Sequence, residues 1–245
     1  MVKKLIFGIF LSGLLSCQIT ERVYLSESGM IRQQTEVDFS SMLGLALSPE
    51  KIDSMKMAGE FPLDTVVSLA ETGMLPGSED EVSEAEIQFR KSMDKTKVRM
   101  LIDEEEAKFV LFNEEMSIAD FNNYQKTINE SYRLLKQQDK KSADEFVQSG
   151  YGSMLQFSYD NDSFERKVLN DKVDFDSQEL DSMGLSVREM MKMYTYKLEY
   201  HFPKKVKSTT LKKAEISPDG KTLTVDVDMA DLLENPDNYN FKVEF

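Results

Sequence analysis

His201 is the only histidine in the chain and the only side chain that can act as a base near neutral pH without a large shift. Glu199 stands two positions earlier. If the segment is a strand, both lie on one face, and the carboxylate can orient the ring. Serine-histidine-aspartate chemistry would have to pass through His201, yet the chain has no Gly-x-Ser-x-Gly elbow to present a serine. A histidine in the polar row of a solvated sheet accounts for the same residues. Two acidic turns, Asp160-Asn161-Asp162-Ser163 and Asp103-Glu104-Glu105-Glu106, carry oxygen ligands suited to a hard cation such as Ca²⁺. Both lack the glycine and distal glutamate of an EF-hand loop, and hairpin turns are often charged in this way. Asp226 and Asp228 could form a carboxylate pair for acid–base work, or simply line a wet strand face. Met190, Met191 and Met193 invite a soft-metal reading such as Cu(I), against which stands the use of methionine as adaptable core filling. Tyr194, Tyr196, Tyr200 and Phe202 make an aromatic row that could line an apolar ligand face or be plain core under a helix. No phosphate loop, dinucleotide fingerprint or zinc spacing is present, so no cofactor and no metal site is expected.

The most specific chemistry lies at the start. Lys3 and Lys4 precede an apolar run, Leu5 to Leu15. As a helix this run spans roughly 16 Å at about 1.5 Å per residue, too short for a hydrocarbon core of about 30 Å. A basic start, a short apolar middle and a small residue before a break describe a secretory signal peptide. The run ends Leu14-Leu15-Ser16-Cys17, and Cys17 is the only cysteine. A thiolate is the strongest nucleophile in the segment and the natural acceptor for a lipid. A lone cysteine also excludes an internal disulfide framework and any cysteine-rich zinc site.

Leu14-Leu15-Ser16-Cys17 resembles the lipobox of bacterial lipoproteins, with Leu15 bulkier than the commonest residue there. The resemblance implies cleavage between Ser16 and Cys17, a diacylglyceryl group on the thiol and an acyl chain on the new amino group, with chains of the palmitate class. Removing sixteen residues from 245 leaves 229, and losing Lys3 and Lys4 takes the formal charge from −14 to −16. Such a body is repelled by anionic head groups, so acyl chains must hold it. The excess of 44 acidic over 30 basic residues also argues against nucleic acid as a partner. Gln18 rather than Asp follows the cysteine, which by the familiar sorting pattern implies the outer membrane; whether the protein would face the periplasm or the medium stays open.

The elements that must position these residues follow from periodicity. Gln18 to Glu27, a turn at Glu27-Ser28-Gly29, and Met30 to Asp38 read as a hairpin directly after the cysteine. In 39–95, Ser48-Pro49 marks a helix start, Ser83 and Glu86 form a capping box, and Met74 to Glu81 reads as an exposed loop. This stretch is expected to be a helical or loop insertion. Val98, Met100 and Ile102, then Ala107 to Phe112, read as a second hairpin. Phe121, Tyr124, Ile128, Tyr132 and Leu135 make the stripe of an amphipathic helix beginning near Ser117. Gly152 to Tyr159 and Phe164 to Leu169 form a third hairpin, and Ser186 with Glu189 caps a short helix holding the three methionines. From Tyr194 to Phe202, from Leu223 to Met229 and from Tyr239 to Phe245 apolar and polar residues alternate strictly. Strict alternation means one buried and one wet face, the mark of antiparallel sheets. The expectation is one α+β domain over 17–245, with roughly nine or ten mostly antiparallel strands in a curved sheet and amphipathic helices on its apolar face.

Three segments carry a wider resemblance, to a group of lipoproteins of unknown function from the Bacteroidota. They are Cys17 with Glu21-Arg22-Val23-Tyr24-Leu25 and Gly29; Val98 to Glu104; and Tyr200 to Val206 followed by Ser217 to Leu223. More remotely, an extended strand, Phe202-Pro203-x-x-Val206 and a glycine turn resemble the LppM-like lipoprotein domain. The resemblance covers about a fifth of the chain, includes no catalytic signature, and implies a lipid-anchored envelope protein without an established activity. The leading expectation is a non-enzymatic module for an apolar ligand or a partner protein, held to the membrane through Cys17. The alternatives are a carboxylate-dependent envelope hydrolase and a structural subunit of an outer-membrane assembly.

Overall fold

The computed structural model describes residues 18–43, 49–59, 61–71, 83–138, 154–169, 172, 186–191 and 194–245. The expected loop at Met74 to Glu81 lies outside the described residues, as do Cys17, Met193 and the side chain of Met190.

Strands β1 (Gln18–Leu25) and β2 (Met30–Asp38) form the first hairpin. Its turn closes through Gly29, whose φ of +76° is in the left-handed region that glycine enters at no steric cost. A helix, α1 (Pro49–Ala58), leads to an edge strand, β3 (Leu63–Ser68). The sequence pattern did not show β3: only three of its six residues are apolar, and none is buried. The Ser83 side chain accepts from the Glu86 N–H (3.2 Å) and starts α2 (Glu84–Ser92). Then follow β4 (Thr96–Ile102), β5 (Ala107–Asn113), β6 (Met116–Ser117) and α3 (Ile118–Gln138). All five residues of the expected stripe on α3 are buried. The third hairpin is β7 (Leu155–Tyr159) and β8 (Ser163–Val168). The Ser186–Glu189 capping box forms in full around α4 (Val187–Met191), which buries Met191. The last third holds β9 (Thr195–His201), β10 (Ser208–Thr209), β11 (Glu215–Ile216), β12 (Thr222–Val227), α5 (Met229–Glu234) and β13 (Phe241–Glu244). Three of these thirteen strands have only two residues, so ten are of full length.

The strands form two sheets. The larger has the order β11-β12-β9-β1-β2-β5-β4-β3 with β6 beside β2; the smaller is β10-β13-β8-β7. Among the described strands every pairing is antiparallel except β1 with β9, which run parallel through Gln18↔Thr195 to Tyr24↔His201. The fold is α+β with a mostly antiparallel, open sheet. The inner face of the large sheet is covered by two different layers. Over β12, β9 and β1 lies the small sheet, where Phe157, Phe164 and Phe241 pack on Tyr200. Over β2, β5 and β4 lie α2 and α3, where the Tyr124 hydroxyl meets Thr96 at 2.8 Å and Phe89 packs on Tyr132. The core is therefore continuous across both halves.

Candidate functional site

Alternation in β1 turns Ile19, Glu21, Val23 and Leu25 inward, so a carboxylate stands in a row of apolar side chains and is fully buried. In β8 the inward row is Phe164, Arg166 and Val168, and Arg166 too is fully buried. The sheets face each other there. The guanidinium approaches both Glu21 oxygens, at 3.4 and 3.5 Å. The β1–β9 register sets Glu21 opposite Leu198, between the inward-facing Tyr196 and Tyr200. Tyr196 Oη donates to Glu21 Oε2 (3.2 Å) and Tyr200 Oη to Oε1 (2.5 Å). Tyr200 Oη accepts in turn from Arg166 Nε (2.6 Å), and Arg166 Nη1 donates to the Tyr239 carbonyl (2.8 Å). Burial pushes the Tyr200 hydroxyl well above its ordinary pKa, with the Glu21 carboxylate adding to the rise and Arg166 opposing it. Burial works against the Arg166 charge, but Tyr200, Glu21 and Tyr196 outweigh it and hold its pKa above the usual guanidinium value.

This cluster ties two adjacent strands of the large sheet, β1 and β9, to β8 of the small sheet. Its lone pairs and protons are taken up internally, the condition under which a buried ion pair is tolerated. The sequence held a signal for it: a charge at an inward position of two otherwise apolar alternating strands. The partners lie 145 residues apart, so the pairing itself was not visible.

The expected aromatic row divides. Tyr196, Tyr200 and Phe202 are buried at 1%, 0% and 5% exposure, whereas Tyr194 is 37% exposed just before the start of β9. Phe202 packs on Phe164 and Phe245 at 5.3 Å between ring centroids. The inner row is thus enclosed by the rings of the small sheet. A hollow of about 120 Å³ lies instead on the small sheet's hairpin, lined by Gln156, Phe157, Ser158, Glu165 and Lys167. Drug-sized ligands occupy roughly 300–1,000 Å³.

His201 is on the opposite face of the large sheet. Its Nε2 meets Glu199 Oε1 at 2.6 Å and its Nδ1 lies 3.3 Å from Thr222 Oγ1. Tyr24 stacks on the ring at 4.5 Å and 6° between planes, and Arg32 lies over Tyr24. Arg22 links Glu199 (3.6 Å) to Glu36 (3.2 Å). The carboxylate, imidazole and hydroxyl line up, but on a half-buried polar row where Arg22 shares the carboxylate.

The remaining carboxylates have separate tasks. Asp226 points outward and approaches Lys197 at 3.9 Å. Asp228 does not continue the strand: it caps α5, accepting from the N–H groups of Ala230 (2.9 Å) and Asp231 (3.2 Å). Asp103 accepts from the backbone of Glu105 and Glu106, and Asp160 from that of Asp162 and Ser163. These bonds hold both carboxyls below their ordinary pKa. Among the described residues no group of three or more His, Cys, Asp or Glu side chains could hold a metal ion, and no helix is long and apolar enough to cross a membrane.

No family model and no curated protein matches the chain, so the resemblance to Bacteroidota lipoproteins gains no support. Among solved structures, the folded domain of LppM from Mycobacterium tuberculosis superposes with a TM-score of 0.40 at 7% identity, over 93% of this chain and 88% of that one. This is a remote likeness of shape, and nothing about function follows from it.

Proposed function

We propose that the chain is a lipid-anchored protein of the bacterial cell envelope, and that its body is a binding module rather than an enzyme. The observation that carries this reading is Leu14-Leu15-Ser16-Cys17 standing directly before the first residue of β1. Cleavage after Ser16 leaves a lipid-bearing Cys17 one residue ahead of a strand whose Ile19, Thr20 and Glu21 are already buried. The anchor is thus joined to the fold without a linker. Two or three acyl chains, each contributing about 0.8 kcal/mol per buried CH₂, hold such a body where a single chain would not. Gln18 in place of Asp favours the outer membrane.

The binding half of the proposal is supported by how the polar groups are spent. Glu21, Tyr196 and Tyr200 satisfy one another within the core, and Asp103, Asp160 and Asp228 satisfy backbone donors. The inner face of the aromatic row is enclosed, so recognition falls to the exterior, which suits a partner protein better than an apolar small molecule. The test is detergent-phase partition of the full chain expressed with its leader in a lipid-modifying bacterium. The wild type should enter the detergent phase and Cys17→Ala the aqueous phase; both in the aqueous phase would defeat the reading.

A further inference from the structure

Strand register places the chain's entry at one end of the large sheet. Following the pairings across the large sheet, Gln18 lies opposite Asp38 and Thr195. Asp38 lies opposite Lys108, Ala107 opposite Ile102, and Ile102 opposite Leu63. These residues form one end of the sheet. Leu25, Ile31, Thr96, Ser68, His201 and Thr222 form the other. The chain enters at the first end, one residue from Cys17.

Two large apolar side chains that stand exposed among the described residues, Tyr194 and Met57, are at that same end. Tyr194 is 37% exposed and immediately precedes Thr195, the register partner of Gln18. Met57 is 85% exposed near the end of α1, the helix before β3. Its neighbour Lys56 bonds Glu104 in the β4–β5 turn and lies over Phe61, which places the end of α1 at this end of the sheet. Single exposed apolar residues are ordinary on a protein surface. Their placement beside the tether is what gives these two a consequence, because a tether without a linker keeps this end at head-group depth whatever the rest of the body does.

We propose that this end is a membrane-contact rim, with Tyr194 and Met57 dipping into the interface beside the acylated Cys17. The proposal rests on the lipid-anchor reading and adds an orientation to it: β1 stands up from the bilayer, with the Gly29 turn and the Ser217–Gly220 turn facing away. A tyrosine suits the interfacial depth, since its ring is apolar and its hydroxyl stays wet. Charge cannot supply the contact. Asp38, Asp103, Glu104, Glu105, Glu106 and Asp228 outnumber Lys56 and Lys108 among the charges in the strand ends and turns here, so an anionic surface repels it. The contact is therefore with a zwitterionic surface, made by apolar side chains.

The chain has no tryptophan, so a single introduced one reports its own depth. Tyr194→Trp, Met57→Trp and Ile216→Trp would each be made in the full, lipid-modified chain and reconstituted into phosphatidylcholine vesicles with plain or brominated acyl chains. Ile216 serves as the control because it is exposed and lies at the far end of the sheet, opposite Leu223. Trp at 194 and at 57 should show blue-shifted emission and lose intensity in brominated vesicles, while Trp at 216 keeps its emission in both. A chain that floats with the vesicles but shows quenching at 216, or none at 194 and 57, overturns the rim and leaves the anchor standing. A chain that fails to float overturns the anchor, and the rim with it.

Discussion

Replacing Arg166 with methionine should be among the most damaging single changes in the body. The guanidinium is fully buried and makes three kinds of contact: both oxygens of Glu21, the hydroxyl of Tyr200 and the carbonyl of Tyr239. Methionine fills similar volume but leaves Glu21 as a buried carboxylate held only by two tyrosines. Removing one partner of a buried pair costs about 3–5 kcal/mol, chiefly because the other charge stays behind uncompensated. For the 229 residues after the leader, an unfolding entropy near 2.1 cal/mol/K per residue converts that loss to a fall in Tm of about 6–10 °C. Thermal unfolding of the purified chain, followed by circular dichroism, reads this directly. The cause is isolated by a second variant, Glu21→Met with Arg166→Met, Tyr196→Phe and Tyr200→Phe, which removes every polar side chain of the cluster at once, leaves only the Tyr239 carbonyl without its donor, and should recover most of the loss. A single variant that melts within about 1 °C of wild type would rule out a stranded Glu21 charge as the source of the loss. So would a fourfold variant that melts lower than the single one.

Three further outcomes follow. Burial pushes the Tyr124 hydroxyl up to about 12 despite its bond to Thr96, and raises Tyr200 and Tyr239 as well. Folded pKa values above the unfolded value of about 10 mean that stability is complete below that pH and drains away as pH rises toward the folded values. Absorbance at 295 nm should therefore show these three tyrosines ionising only with alkaline unfolding, and a native titration completing near pH 10 would contradict it. Asp103, Asp160 and Asp219 are held low by backbone or hydroxyl donors in their turns. Their stabilisation is present above the unfolded value of about 3.9 and is lost as pH falls through the folded values. Asparagine keeps the acceptor oxygen without the charge, so a triple aspartate-to-asparagine variant should show a flatter fall in its urea midpoint on the acid side; an unchanged slope would count against this. Asp228→Ala removes the cap of α5 and should cost about 1 kcal/mol in urea unfolding, with no loss expected if Asp228 were merely a second exposed acid of the strand.

Much of the body was legible because its information is local. The stripe from Phe121 to Leu135 is one helix face, and every member of it is buried. The alternation of Tyr196, Leu198 and Tyr200 with Lys197, Glu199 and His201 is one strand with a dry and a wet face. The turns at Gly29 and Gly220 were marked by glycines that do adopt positive φ. What escaped reading is non-local. β1 and β9 pair in parallel across about 180 residues, and nothing in either segment names the other. β3 earns its place by pairing alone, since its side chains are not buried. Glu21 and Arg166 were each legible as oddities in an apolar row, but charge complementarity across the interior appears only when the two sheets are laid together. Asp228 was misplaced because the apolar-polar alternation runs on through Met229, while the backbone turns into α5 at the aspartate.

The proposed lipid anchor depends on Cys17. The measurement that tests it most directly is the mass of the N-terminal peptide of the mature chain purified from native membranes. The predicted result is a peptide that begins at Cys17 and carries a diacylglyceryl group together with an amide-linked acyl chain. A peptide that retains Ser16, or that shows Cys17 with a free thiol, would contradict it.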